Sequence, residues 1–587
     1  MAHDDEHHQS GRTTLVNHRD ELKPAGDVVD RETWAGGLGE KTATAPHLRV
    51  GRDRWFNLMW LIPIGFTMLV SGIAVAKYLV TVPAVGDFIH RYPGTVTAAA
   101  DTSGIPAWVG WQHFLNLFLM TFIVRSGIQI LADHPRLYLS RNATPDTDEW
   151  FRIAGPVPND PMWTAKQDSV GLPDQLGLPG IRHAIGLARW WHLGTDVLWL
   201  ANGAVFYVLL LRTGQWRHLV PSSWDVFPNA VSVGVQYLSL NWPDDNGWIA
   251  YNSLQLLAYF TTVFVAAPAA VITGLGMSPA VSMRLTHISK RLSIQLARSL
   301  HFLVMAYFLA FIGVHVTLVF ATDAVRNLNH MFAARDGSGL AGFWVFAVAL
   351  VLTTVAWVWA TPFTYRHPRV VQRVGYALIG PLQRLFEYVN PEPGALTDDH
   401  ISPYFWHNGT YPETVEYKEL FAGDFADWRL HVYGLVERPR DFSLEELKAL
   451  PYHDQITQHF CIQGWSGVAK WGGVSMQTIL DIVKPLPEAK WVVFYSMAPG
   501  SDGGRYYDCH DIKQMDHHLT MLAYRMNDEP LSYGHGAPLR LRNELQHGFK
   551  MVKWLQAIEF VAHFREVGGG HGGYNEDHEF FGYRQTL

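Results

Sequence analysis

Six apolar runs constrain this chain more than any other feature. They cover about residues 56–76, 108–131, 191–211, 254–275, 300–321 and 342–361. Each is about 20 residues long, the length a helix needs to cross about 30 Å of hydrocarbon. The expected architecture is therefore an integral membrane bundle, with helices 1 to 6 in that order. Trp108, Trp111, Trp190 and Trp191 lie at run ends, where an aromatic belt would place them. About 55 residues rich in Pro, Gly and Asp separate helices 2 and 3 and are expected to form an ordered cap outside the lipid.

The texture changes after residue 361. Residues 365–388 read as a basic amphipathic helix lying on the membrane surface, and residues 390–394 as a linker. From about residue 401 the chain reads as a soluble α+β domain. Strands are expected near 429–435, 491–495 and 539–541, and a short helix near 478–483. The expected domains are thus a polar tail (1–52), a membrane domain (53–363), an amphipathic helix with linker (364–400) and a soluble domain (401–587). The net charge of −7 gives no reason to expect nucleic acid. The His-rich start reads as a solvated tail rather than a metal site. No cleavable signal or twin-arginine address is readable.

An ionisable residue inside a spanning helix is a functional candidate by default. Helix 2 carries His113 near its start, helix 3 carries His192 near its start, and helix 5 carries His301 near its start and His315 near its end. Fourteen residues place the last two about 21 Å apart along the axis and only about 40° apart around it. Chain direction then pairs His192 with His301 on one side and His113 with His315 on the other. Two bis-histidine sites stacked through a four-helix core suit transmembrane electron transfer by two b-type haems, because imidazole on both axial positions leaves no open coordination site. With two cysteines, Cys461 and Cys509, the chain has no C-x-x-C-H site and too few thiolates for a four-cysteine cluster. The haems must therefore be non-covalent. Arg125 in helix 2 and Arg298 just before His301 are candidate partners for haem propionates.

These positions resemble the two-haem membrane cytochrome b of the formate dehydrogenase gamma-subunit type. The resemblance covers helices 2 to 5. It rests on the four histidines, on Gly127-Ile128-Gln129 and His134-Pro135-Arg136-Leu137-Tyr138, and on Gly274-Leu275-Gly276-Met277-Ser278-Pro279. It implies a quinone as diffusible partner. Helix 1, with Leu58 and Met59, and helix 6 are additions without ligands.

In the soluble domain, His459-Phe460-Cys461-Ile462-Gln463-Gly464-Trp465-Ser466 places a lone cysteine before a Trp-Ser turn. Together with 535–541 (His-Gly-Ala-Pro-Leu-Arg-Leu) and 548–554 (Gly-Phe-Lys-Met-Val-Lys-Trp), it resembles the sulfite oxidase family of molybdopterin enzymes. That family includes the catalytic subunit of the bacterial methionine-sulfoxide reductase. The resemblance implies that Cys461 is the thiolate ligand of molybdenum. It also implies that Asn408, Tyr411, Pro412, Ser496, His535, Arg540, Met551, Val552 and Lys553 contact the pterin cofactor, with Arg540 and Lys553 suited to its phosphate. His535 follows the oxidases where the reductase has asparagine, whereas no dimerisation domain of the oxidase type is expected after this one. Arg505, Tyr506, Tyr507 and His407 are further pocket candidates.

The expected function is a membrane molybdenum oxidoreductase that exchanges electrons between a small oxo-transfer substrate, such as sulfite or a sulfoxide, and quinone. The alternative is an electron conduit whose soluble domain binds a partner. The direction of flow and the oligomeric state, a homodimer included, stay open. The expected location is the cell inner membrane, multi-pass. Arg52, Arg54, Arg284, Lys290, Arg291, Arg298, Arg366, Arg369 and Arg373 lead to the expectation, by the positive-inside rule, that the soluble domain is cytoplasmic.

Overall fold

The computed structural model describes residues 18–25, 29, 41–95, 104–242, 246–289, 291–387, 396–501 and 503–584. The linker expected at 390–394, the His-rich start and Lys290 lie outside them. Each apolar run forms a helix: α1 (Leu61–Leu79), α2 (Ala107–Asp133), α3 (Ile185–Arg212), α4 (Ser253–Gly276), α5 (Ile294–Phe332) and α6 (Ala341–Arg366). All six are long and apolar enough to cross a membrane. α2 packs on α3, and α4 on α5. α4 widens into a π turn at Thr261–Ala266, a local feature common at functional sites.

α5 runs eleven residues beyond the predicted end and breaks its helical geometry at Asp323 (φ −145°, ψ 86°). Its extension is polar, so it carries no apolar signal. It is held instead by a local network in which Asn329 Nδ2 donates to Gly337 O at 2.7 Å and His330 Nε2 bonds Asp336 Oδ1 at 2.8 Å.

The segment between α2 and α3 is the ordered cap that its composition suggests. β1 (His47–Arg49), β2 (Trp55–Asn57), β3 (Arg136–Tyr138) and β4 (Glu149–Arg152) form one sheet in the order β2-β1-β4-β3. Beneath it, fully buried Arg136 is satisfied by Asp168 Oδ2 at 2.8 Å and Glu149 Oε1 at 2.9 Å. A charge so deep is tolerable only when paired in this way.

The helix after α6, α7 (Pro368–Glu387), packs along α3, and a Cβ added at Gly375 would lie 2.7 Å from Trp190. Val374 and Leu385 stay exposed, as a surface-lying helix requires. The soluble domain holds two sheets. One is β10 (Arg505–Asp511), β9 (Trp491–Pro499), β14 (Leu555–Val561), β5 (Arg429–Gly434) and β6 (Arg440–Ser443). The other is β12 (Glu529–Pro530), β11 (Thr520–Met526), β8 (Ser466–Ser475) and β7 (Tyr452–Phe460), with β13 (Arg540–Asn543) paired to β11. Trp428, Trp471, Phe494, Leu522 and Ile558 fill the core.

Candidate functional site

The register of β7 against β8 pairs Phe460 with Ser466, which leaves residues 461–465 as the tip of a long hairpin. Cys461 begins that tip. Its N–H donates to Trp465 O at 3.0 Å, and Gly464 turns the chain at φ +104°, a region that favours glycine. A Cβ at Gly464 would also lie 3.1 Å from Arg298 Nε, so the tip sits against α5. Gln295 Nε2 donates to Gly464 O at 2.9 Å and to Ser466 Oγ at 3.1 Å. Gln463 Nε2 reaches Asp133 O, at the end of α2, at 3.3 Å. The cysteine hairpin is thus docked on the end of the bundle that carries His192 and His301.

Those two histidines face each other with ring centres 6.4 Å apart, and His113 faces His315 at 6.3 Å. Two imidazoles that share one metal at about 2 Å per bond hold their ring centres about 6 Å apart, so each pair fits a single iron between its rings. The outer nitrogens support this orientation. His301 Nδ1 donates to Thr273 Oγ1 at 3.0 Å, and His192 Nδ1 donates to Ile123 O at 3.0 Å with Ser126 Oγ equally close. Anchoring Nδ1 fixes the tautomer and frees Nε2 as a ligand. His192 Nε2 stands 3.6 Å from Asp196 Oδ2, beyond hydrogen-bond distance. At the other pair, Phe311 stacks on His315, and His113 Nδ1 is buried with no hydrogen-bond partner among the described residues.

The two arginines are placed differently from the expectation. Arg125, 1% exposed, donates to Gly177 O (3.1 Å), Trp357 O (2.5 Å), Thr361 Oγ1 (2.8 Å) and Asp174 O. Protein oxygens on the cap and α6 already take up its guanidinium, so it needs no propionate. Arg298 donates to Arg136 O at 2.8 Å and His134 O at 2.7 Å, and so joins α5 to the cap beneath the cysteine hairpin. Both are structural ties.

Beside Cys461 lies a cavity that opens partly to solvent. Of the predicted cofactor contacts, Asn408, Ser496, His535, Arg540, Met551 and Lys553 line it. Asn408 Nδ2 is 3.6 Å from Cys461 Sγ and donates to Gln463 Oε1 at 2.9 Å. Lys553 Nζ donates to Asn408 O at 2.6 Å and Gly534 O at 2.9 Å, and Ser496 Oγ donates to Lys553 O at 2.7 Å. Arg540 Nη1 donates to His535 O, while its Nε is buried with no hydrogen-bond partner among the described residues.

Tyr411, Pro412 and Val552 lie outside the lining. Tyr411 bonds His407, Pro412 O accepts from Tyr533, and the Val552 side chain is in the hydrophobic core, which leaves only its backbone for a ligand. Tyr506 lines the cavity. Arg505 pairs with Glu21, Tyr507 bonds Asp577, and His407 sits 3.1 Å from His535, nitrogen to nitrogen.

The electrostatics fit an anionic cofactor with a metal at the cysteine. Burial, then Arg540 beside it, holds the Lys553 ammonium well below its usual range, and burial lowers Arg540 likewise. Two strained cations lining one cavity call for an anion such as a phosphate. Burial pushes the Cys461 thiol up to about 12, which a bound metal cation would reverse. Burial holds His407 at about 4 and His535 well below its ordinary value, so both are neutral hydrogen-bonding groups. Sequence reasoning missed the residues that come from elsewhere in the chain: Asp133, Lys166, His183 and Ile185 from the cap and the ends of α2 and α3, and Glu579 and Phe581 from the tail. Asp133 carried a signal, an acid at the very end of a haem-type helix.

This arrangement defines a chain of two redox modules. Residues 104–334 match the prokaryotic cytochrome b561 family, and residues 418–566 match the oxidoreductase molybdopterin-binding domain. The chain is a fusion of the two, a multi-pass membrane haem module followed by a molybdopterin module. Among curated proteins it is 36% identical over 159 residues to a putative protein-methionine-sulfoxide reductase subunit YedZ1 of Azospira oryzae, covering 27% of this chain and 56% of that protein. It is 30% identical over 185 residues to the protein-methionine-sulfoxide reductase catalytic subunit MsrP of Campylobacter jejuni (29% and 62%). It is 35% identical over 152 residues to the MsrP of Xanthomonas campestris (24% and 47%). The chain spans between 47% and 62% of the length of these relatives.

Proposed function

We propose that the chain is a membrane-bound molybdenum oxidoreductase that passes electrons between quinone and a small oxo-transfer substrate through two b haems, working as a sulfoxide reductase. The observation that carries this reading is the docking of the Cys461 hairpin, through Gln295 and Arg298, onto the helix that bears His301. The relatives, named as methionine-sulfoxide reductases, supply the direction. Reduction of a sulfoxide to a sulfide and water takes two electrons and two protons, which is what one quinol releases.

When bound, molybdenum would supply the oxo transfer and the haems the one-electron steps. The chain's own residues hold and align these groups. The Cys461 thiolate would be the metal ligand, oriented by Asn408 and Gln463. Arg540 and Lys553 would receive the cofactor phosphate, with Ser496, His535 and Met551 around it. His192 with His301 would hold one haem and His113 with His315 the other, about 21 Å apart along α5. Quinone would exchange electrons at the His113/His315 end. The excess of arginine and lysine beside the Cys461 end supports a cytoplasmic molybdopterin domain in the inner membrane.

Elemental analysis and haem spectroscopy of the purified chain test the reading. One molybdenum and two haems per chain are expected, with dithionite-reduced haems reoxidised by dimethyl sulfoxide. A preparation without molybdenum would sink it. If Cys461→Ser left turnover intact, the soluble domain would be a docking module on an electron conduit.

A further inference from the structure

We propose that substrate access to Cys461 is set by walls from outside the molybdopterin domain, and that these walls admit a small free sulfoxide but exclude one held in a folded protein. The proposal rests on the oxo-transfer reading and names its substrate class. Cys461 belongs to one buried apolar cluster with Tyr138 and Ala165 of the cap, Ile185 of α3 and Phe581 of the tail. The cavity beside it is lined from the same quarter by Asp133, Lys166, His183, Ile185, Glu579 and Phe581. None of these lies within 418–566, the stretch that matches the molybdopterin domain.

The tail side of this wall is tied down at several points. Trp190 Nε1 of α3 donates to Phe580 O at 2.8 Å, and Gln372 Nε2 of α7 donates to Phe581 O at 2.7 Å. Arg369 donates to Glu576 O at 2.8 Å, and Lys550 Nζ pairs with Glu576 Oε1 at 2.5 Å. A segment of folded protein could reach Cys461 from this side only by breaking these bonds together, whereas a free small molecule leaves them intact. Within the wall, the Asp133 carboxylate is 1% exposed, and neither oxygen has a hydrogen-bond partner among the described residues. Its nearest basic neighbour, His183 Nδ1 at 3.7 Å, is held neutral by burial at about 4. A buried acceptor left open beside a cavity is matched by a donor on the substrate or on its water. Phe581, packed edge-to-face on Phe549 with ring centres 4.8 Å apart, sets the width.

Two measurements on the holoenzyme decide the matter. Calorimetry on the oxidised protein, where no turnover occurs, compares dimethyl sulfoxide with diphenyl sulfoxide. Phe581→Ala is expected to tighten diphenyl sulfoxide by about tenfold while changing dimethyl sulfoxide little, and Phe581→Leu to stay near wild type. Reoxidation of reduced haem is expected to be roughly a hundredfold faster with free methionine sulfoxide than with an oxidised globular protein at equal sulfoxide. Equal rates with the oxidised protein, or a Phe581→Ala effect equal on both ligands, overturn the proposal and leave the oxo-transfer reading standing. If no sulfoxide reoxidises the haems, that reading fails, and the calorimetric ratio still decides whether the walls select by size.

Discussion

Gln295, six residues before His301 on the same helix, donates to the carbonyl of Gly464, three residues after Cys461, at 2.9 Å. One side chain thus spans the joint between the two redox modules. Gln295→Ala leaves the Gly464 carbonyl unpaired in a buried joint, at a cost of about 1–3 kcal/mol. The expected result is slower reoxidation of haem by substrate with unchanged haem content, followed by stopped-flow absorbance. A wild-type rate would show that the joint does not depend on this bond.

Each histidine pair is expected to act as a unit. His301→Ala or His192→Ala should halve the haem content, and His113→Ala or His315→Ala should remove the other half. His301→Ala combined with His315→Ala should leave none. Pyridine haemochrome assays check this, and retention of both haems in any single variant would reassign the ligands.

Cys461→Ser should abolish turnover while the haem spectrum stays as in wild type. Lys553→Met should lower molybdenum content several-fold, because it removes a cavity cation with no paired carboxylate among the described residues. Elemental analysis after purification separates the two effects.

His510 gives the molybdopterin domain an acid-sensitive element. Its Nε2 donates to Lys550 O at 2.8 Å and its Nδ1 accepts from Asn543 Nδ2 at 2.9 Å, which defines a neutral ring. Burial, with Lys550 nearby, holds it at about 3. The unfolded chain therefore binds a proton that the folded one refuses. This contribution is complete above about pH 6.5 and is lost as pH falls toward 3, by at most about 1.4 kcal/mol per pH unit. Thermal unfolding from pH 7 to pH 4 should show the decline, and His510→Gln should flatten it.

Lys550 lies between Asp508 Oδ1 and Glu576 Oε1, each at 2.5 Å, with all three side chains buried. Lys550→Met strands two carboxylates and should cost about 3–5 kcal/mol. Differential scanning calorimetry should show a large drop in melting temperature, together with release of the tail to protease.

The spans were legible because lipid imposes one length and one polarity, and the predicted helices match α1 to α6 to within a few residues at most ends. The polar extension of α5 past Asp323 was not, since no apolar run marks it. The histidine pairing followed from chain direction alone. The partners of Arg125 did not, because they are mainly backbone carbonyls 49 and 52 residues away in the cap and 232 residues away in α6, and a carbonyl leaves no mark in a sequence. Cys461 and the cavity cations were legible from their motif. Asp133 and Phe581 were not, because their role comes from the meeting of segments more than 400 residues apart.

That meeting also fixes an order of events. Residues 574–581 leave the ribosome after all six spans and all the described strands, yet they are fastened through Phe580 O to Trp190 near the start of α3. A nascent chain can therefore insert its helices and fold its sheets while one side of the Cys461 chamber is still missing. A bulky pterin would have its widest entrance in that interval, before residues 574–581 close that side.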